Sequence, residues 1–177
     1  MSSSLIVEDG TGKSNADSYD SVANATTYLT AYKNATDLAV WTAASDAEKD
    51  RAMRVATRYV DAAYGNRFAG YRVLRTMSLL WPRYGSSDRD GYWIAPNVVP
   101  TQVAHATIEM AWHVSNGDDP LAKLDTTATG VASTSVTVGP ISESTTYTGG
   151  APSVPTYQSV DRLMASLLGP ANMVYTG

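Results

Sequence analysis

Apolar residues recur at helical spacing in four stretches of this chain and alternate at strand spacing in a fifth. The first set, Val22, Ala25, Tyr28, Leu29 and Tyr32, follows Ser21, a good N-cap with Asn24 three positions on, and predicts a helix to about Lys33. Leu38-Ala39-Val40-Trp41 reads as a short anchoring segment. Ser45-Asp46-Ala47-Glu48 is a capping box, in which serine and glutamate each satisfy the other's orphan N–H. The helix it opens should reach about Tyr64, ahead of Gly65-Asn66, with Ala52, Met53, Ala56, Tyr59, Val60 and Ala63 as its apolar stripe. Arg51, Arg54 and Arg58 lie to the other side, and Asp50–Arg54 has the spacing of a favourable ion pair. A short helix is predicted over Arg75–Leu80, ending at Trp81-Pro82 because the residue before a proline is pushed out of the α region. A third long helix covers Thr101 to Asn116, and Ser159 caps a last one through Val160, Leu163, Met164, Leu167 and Leu168. Leu5-Ile6-Val7 precedes them all as a short strand.

The fifth stretch lies in a segment of different composition. From Asp125 to Thr156, 21 of 32 residues are Ser, Thr, Gly or Pro and none is Lys or Arg. Within it Val136 and Val138, then Ile141, Thr145 and Tyr147, alternate as strands do around Gly139-Pro140. A disordered linker would not need that alternation, so the segment reads as a β-hairpin or extended arm. The fold class expected is therefore mainly α: a small helical bundle with a protruding β-hairpin arm and a short C-terminal helix. Its parts are a bundle core with an N-terminal strand over 1–124, the arm over 125–156, and the last helix and tail over 157–177.

Length and charge narrow the function. A chain of 177 residues suits one domain with an appended arm. Cysteine is absent, which excludes disulfides, thiolate metal sites and cysteine nucleophiles. No apolar run approaches the ~18 residues that span a bilayer. Met1-Ser2-Ser3-Ser4 carries no basic residue ahead of a short apolar stretch, so no secretory signal or membrane is expected. The formal net charge of −4 hides an asymmetry. Between Lys49 and Asp90 stand nine Lys/Arg against four Asp/Glu, while the rest of the chain holds four against thirteen. A basic centre of this kind is a polyanion-binding face, half of a self-association contact, or a set of solvated helix faces.

Three local patterns look like chemistry, and each has a plainer reading. Gly10, Gly12, Lys13 and Ser14 resemble the end of a phosphate-binding loop, but its first glycine position falls on Val7 and turn residues follow the lysine. A surface loop explains them better. His105, Glu109 and His113 share one helix face, which suits a metal, yet no fourth ligand is visible and a helix edge meeting a neighbour explains them as well. Asp88, Asp90 and Gly91 fit part of a calcium loop, but its first acid is Ser86 and its closing glutamate falls on Asn97, which favours a turn. With no nucleophile elbow and no paired carboxylates, neither an enzyme nor a bound cofactor is expected.

Tyr59, Tyr64, Phe68, Tyr71, Trp81 and Tyr84 interleave with Arg58, Arg67, Arg72, Arg75 and Arg83. Stacking platforms beside a cationic track are what single-stranded nucleic acid binding requires. Core packing accounts for at least Tyr59, on its helix's apolar stripe, and Trp81, which follows Leu79-Leu80.

The stretches "IVEDGTG…NADSYDSVANATTYL", "SDAEKDRAMRVATRYVDAAYGNRFAGYR", "LLWPRYG…DRDGYWI…VP" and "VTVGPISESTTY…VDRLMASLL" resemble, in this order, tailed-phage proteins often labelled DnaT-like single-stranded-DNA-binding proteins. Those look like head-to-tail adaptor (connector or head-completion) proteins, and the resemblance covers Ile6 to Leu168. It implies a structural virion protein at the head–tail junction, assembled in the host cytoplasm. Such a protein forms a dodecameric adaptor ring between portal and tail, docks tail or nozzle proteins, and lets double-stranded genomic DNA pass. On that reading Val136, Val138, Ile141, Tyr147, Leu163, Leu167 and Tyr175 contact the portal or a neighbour. Arg67, Arg72, Arg75 and Arg83 then line a subunit interface or the lumen. The alternative is an accessory of replication that binds single-stranded DNA, as the family label says. The acidic net charge counts against that alternative and the basic centre counts for it.

Overall fold

In a computed structural model the described residues are 4–121, 133–138, 141–146 and 156–168. They fall into two compact units, one of 1–120 with 157–177 and the other of 121–156. The first is a bundle of five helices: α1 (Val22–Tyr32), α2 (Ala35–Ala43), α3 (Asp46–Tyr64), α4 (Thr101–Ser115) and α5 (Gln158–Ala165). Among the described residues no helix is long and apolar enough to cross a membrane.

Local signals place the first three helices. Ser21 accepts the Asn24 N–H to start α1, and Asn34 accepts the Asp37 N–H to start α2. The segment around Trp41, expected only as an anchor, is thus a capped helix. At the start of α3 both halves of the Ser45–Glu48 capping box form. Helix α4 packs against all four others, and α3 against α4 and α1. Between them Leu29, Trp41, Met53, Val60, Val103, Ile108, Met110, Val160 and Met164 are sealed from solvent. Each such side chain stabilises the fold by about 1.5–3 kcal/mol. Helix α5 has no side-chain cap, because Ser159 lies inside it. Its start is held instead by the Tyr157 ring, packed 5.5 Å from Tyr59 and 4.9 Å from His113.

Three expectations fail where distant partners claim the backbone or side chain. Leu5–Val7 forms only an isolated bridge, Val7 to Ser18, because the Asp17 carboxylate takes the Ile6 N–H in place of a ladder partner. Residues 75–80 are not a helix. The Leu80 N–H goes to the Tyr19 hydroxyl and the Asp61 carboxylate, and the Ser78 N–H to the Lys13 carbonyl, so neither is left for helical bonding. In α3, Arg54 donates to Asp17 at 2.6 Å, while Asp50 accepts the Ser4 N–H.

Residues 65–67 continue α3 as a 3-10 turn. Beyond it β1 (Tyr71–Arg72) and β2 (Arg83–Tyr84) form a two-residue antiparallel ribbon, with Tyr71 opposite Tyr84 and Arg72 opposite Arg83. In the second unit β3 (Ser133–Val138) and β4 (Ile141–Thr146) form the expected hairpin, in register from Ser133–Thr146 to Val138–Ile141.

Candidate functional site

The structure gives the glycine-rich loop an internal occupant. Glu8 is buried, and its carboxylate accepts the N–H groups of Gly10 and Gly12 on Oε1 and of Lys13 on Oε2, all within 2.9 Å. Backbone N–H groups of one loop converging on a point make an anion-binding nest, and here the anion is the chain's own glutamate, while the Thr11 N–H goes to Asp9. Positive φ at Gly10 and Gly12 shapes the nest, and a Cβ on Gly10 would lie 1.9 Å from the Asn97 carbonyl oxygen. Lys13 is not a free solvated lysine, since it donates to the Val7 carbonyl and pairs with Asp9.

The histidine face is likewise committed to neighbours. Glu109 pairs with Lys33 at 2.8 Å, His113 meets Asp118 at 3.0 Å, and the His105 ring lies 4.5 Å from Tyr28. Burial and the nearby Glu109 push the Tyr28 phenol up to about 12. Among the described residues no cluster of three or more His, Asp or Glu is placed to hold a metal. In the Asp88 segment the carboxylate accepts the Asp90 and Tyr92 N–H groups, closing a turn through Gly91 at φ +87°.

The aromatic and arginine run is sorted by the fold into two classes. Tyr64, Phe68 and Trp81 face the core, and Tyr59 packs against it. Tyr71 and Tyr84 face outward, 68% and 45% exposed, with their ring centroids 5.8 Å apart. The Asp88 turn adds Tyr92 and Trp93, 74% and 80% exposed, which the sequence reading missed. Ser87, three positions after Tyr84, is the bridge partner of Trp93, so this second aromatic pair is tied to the strand that carries the first. A signal for it was present in Asp88-Arg89-Asp90-Gly91, a turn that must end in Tyr92-Trp93 with no apolar pattern to bury them.

The arginines divide in the same way. Arg67, Arg72, Arg75 and Arg89 are exposed, and Arg72 also donates to the Met77 carbonyl. Arg83 is withdrawn, 8% exposed, and donates to the carbonyls of Ala69, Gly70, Leu80 and Phe68. Burial pulls its guanidinium below the ordinary arginine value, though it remains charged.

Beneath this region Tyr19 donates to Asp61 and accepts the Leu80 and Trp81 N–H groups. Burial raises the Asp61 carboxyl to about 6, against the opposing pull of the Tyr19 and Leu80 bonds and of Arg83 and Arg72. It also pushes the Tyr19 phenol well up, with the adjacent Asp61 charge adding to the shift.

A family model described as "Putative DnaT-like ssDNA binding protein" matches residues 3–176. The chain belongs to this DnaT-like family. No curated protein and no solved structure matches it. The family match overturns the expected role as a virion adaptor ring between portal and tail, because it points to single-stranded DNA and supports the alternative. Of the residues assigned to portal or neighbour contacts, Leu167 is buried and Leu163 packs against the core of this same unit. Val136, Val138 and Ile141 lie on the paired strands β3 and β4, while Tyr147 and Tyr175 lie outside the described residues.

Proposed function

We propose that this DnaT-like protein binds single-stranded DNA, as a binding protein without chemistry of its own, through the exposed aromatics and arginines of residues 67–93. The observation that carries the proposal is the outward Tyr71–Tyr84 pair, displayed while Phe68, Trp81 and Arg83 beside it turn inward. Four exposed aromatic rings are costly to leave in water, and base faces are the partner their shape and chemistry suit. In a duplex those faces are stacked on one another, so only a single strand offers them. Arg67, Arg75 and Arg89 supply a short cationic track for the phosphates, while Arg72, the register partner of Arg83, turns to the Met77 carbonyl. DNA contact, expected at first with a double-stranded genome, becomes contact with an unpaired strand.

A chain of net charge −4 does not attract polyanions as a whole, so affinity must come from this local set. Fluorescence anisotropy with an oligothymidylate and with a duplex of equal length should therefore show a single-strand preference. Tyr84→Ala and Trp93→Ala should each weaken binding by about 1–3 kcal/mol, roughly 5- to 150-fold. Equal affinity for the duplex, or indifference to both substitutions, would defeat the proposal.

A further inference from the structure

We propose that Arg83 is a positioning residue for single-strand binding, acting through Tyr71 and Tyr84 and making no contact with the strand itself. The inference rests on the functional reading above and concerns how the platform is held. A ribbon of two residues per strand is marginal by itself, because it offers few ladder bonds. Successive side chains on a strand point to opposite faces, so Arg83 points inward where Tyr84 points outward. There the guanidinium donates from Nε to Ala69 at 2.7 Å, from Nη2 to Gly70 at 2.6 Å and from Nη1 to Leu80 at 3.2 Å. Its Cζ also lies over the Phe68 ring, 5.9 Å from the centroid. One planar fork thereby ties the segment entering β1 to the segment entering β2.

Two neighbours lock the same joint. The Ser86 hydroxyl donates to the Ala69 carbonyl at 2.8 Å. Gly70, at φ +70°, lets the chain pass so close to β2 that a Cβ there would lie 1.9 Å from the Tyr84 carbonyl oxygen. Arg83 thus sets the spacing of the tyrosine pair while its charge is occupied by backbone carbonyls. A lysine keeps the charge, but its three N–H donors radiate from one nitrogen and lack the span of the fork, so it does not reproduce the separate Nε, Nη1 and Nη2 bonds.

The test measures oligothymidylate affinity against salt for Arg83→Lys, Arg83→Met and Arg75→Ala, alone and on a Tyr71→Ala/Tyr84→Ala background. Folding of each variant is confirmed by circular dichroism. Arg83→Lys and Arg83→Met should both lose about tenfold in affinity, the scale of one stacking contact, with the wild-type salt slope. Arg75→Ala should flatten the slope by about 0.7. On the tyrosine-less background the Arg83 substitutions should cost nothing further, whereas Arg75→Ala should cost its full amount. Ser86→Ala, a milder cut at the same joint, should show a smaller loss with the same dependence on the tyrosines, and it decides the matter if the Arg83 variants do not fold. Rescue by lysine, a flattened slope for Arg83→Met, or losses that add to those of the tyrosine pair would overturn the positioning role. Failure of the wild type to bind oligothymidylate would instead defeat the functional reading.

Discussion

Asp61 shows how a single buried carboxyl bears on both stability and the platform. Its side chain joins α3 to the Tyr19 hydroxyl and to the N–H of Leu80, three residues before Arg83. Burial raises its folded value from 3.8 to about 6, so between those values the native state holds a proton that the unfolded chain has released. Stability from this group is therefore greatest at low pH and declines as pH rises through the window. In urea unfolding, the stability of the wild type relative to Asp61→Asn should fall by up to about 3 kcal/mol between about pH 4 and 6.5, then level off. A difference that stays constant across that range would mean Asp61 keeps an ordinary carboxyl in the fold. Tyr59 and Val60 were legible in the sequence as members of the apolar stripe of this helix. Nothing local shows that Asp61 points back beneath Leu80, because its partner Tyr19 lies 42 positions away.

The elements that sequence could specify are those whose signals act within one turn. Ser21, Asn34 and Ser45 each cap a helix with a residue three positions on, and the Ser45–Glu48 reciprocity sits wholly in four residues. The segment 75–80 has helical residues but not a helix, since Tyr19, Asp61 and Lys13 compete for its N–H groups from afar. The loop of Glu8 to Lys13 is the reverse case: a phosphate-loop pattern whose nest is already filled by its own first residue. Glu8→Gln keeps one acceptor oxygen but turns an NH2 donor toward one of the loop's N–H donors. It should destabilise the protein by about 1–3 kcal/mol in denaturant unfolding. An unchanged midpoint would show that the nest does not need the carboxylate.

Across the whole molecule the basic centre noted in the sequence separates into a withdrawn arginine and an exposed set, and the aromatics beside it separate with them. Composition could identify the residue types but not the sorting, which depends on a two-residue ribbon and a turn closed by Asp88. Trp93 illustrates the limit, because its exposure follows from the Asp88 turn and its bridge to Ser87 rather than from any periodicity. The exposed Tyr32 on α1 offers a competing aromatic surface, 70% exposed beside Tyr28. Ultraviolet cross-linking of bound oligothymidylate, followed by mass spectrometry of the digested protein, distinguishes the two surfaces directly. Cross-links are expected on Tyr71, Tyr84, Tyr92 and Trp93. Cross-links confined to Tyr32 and the rest of α1, or none under conditions where the strand is bound, would contradict the account.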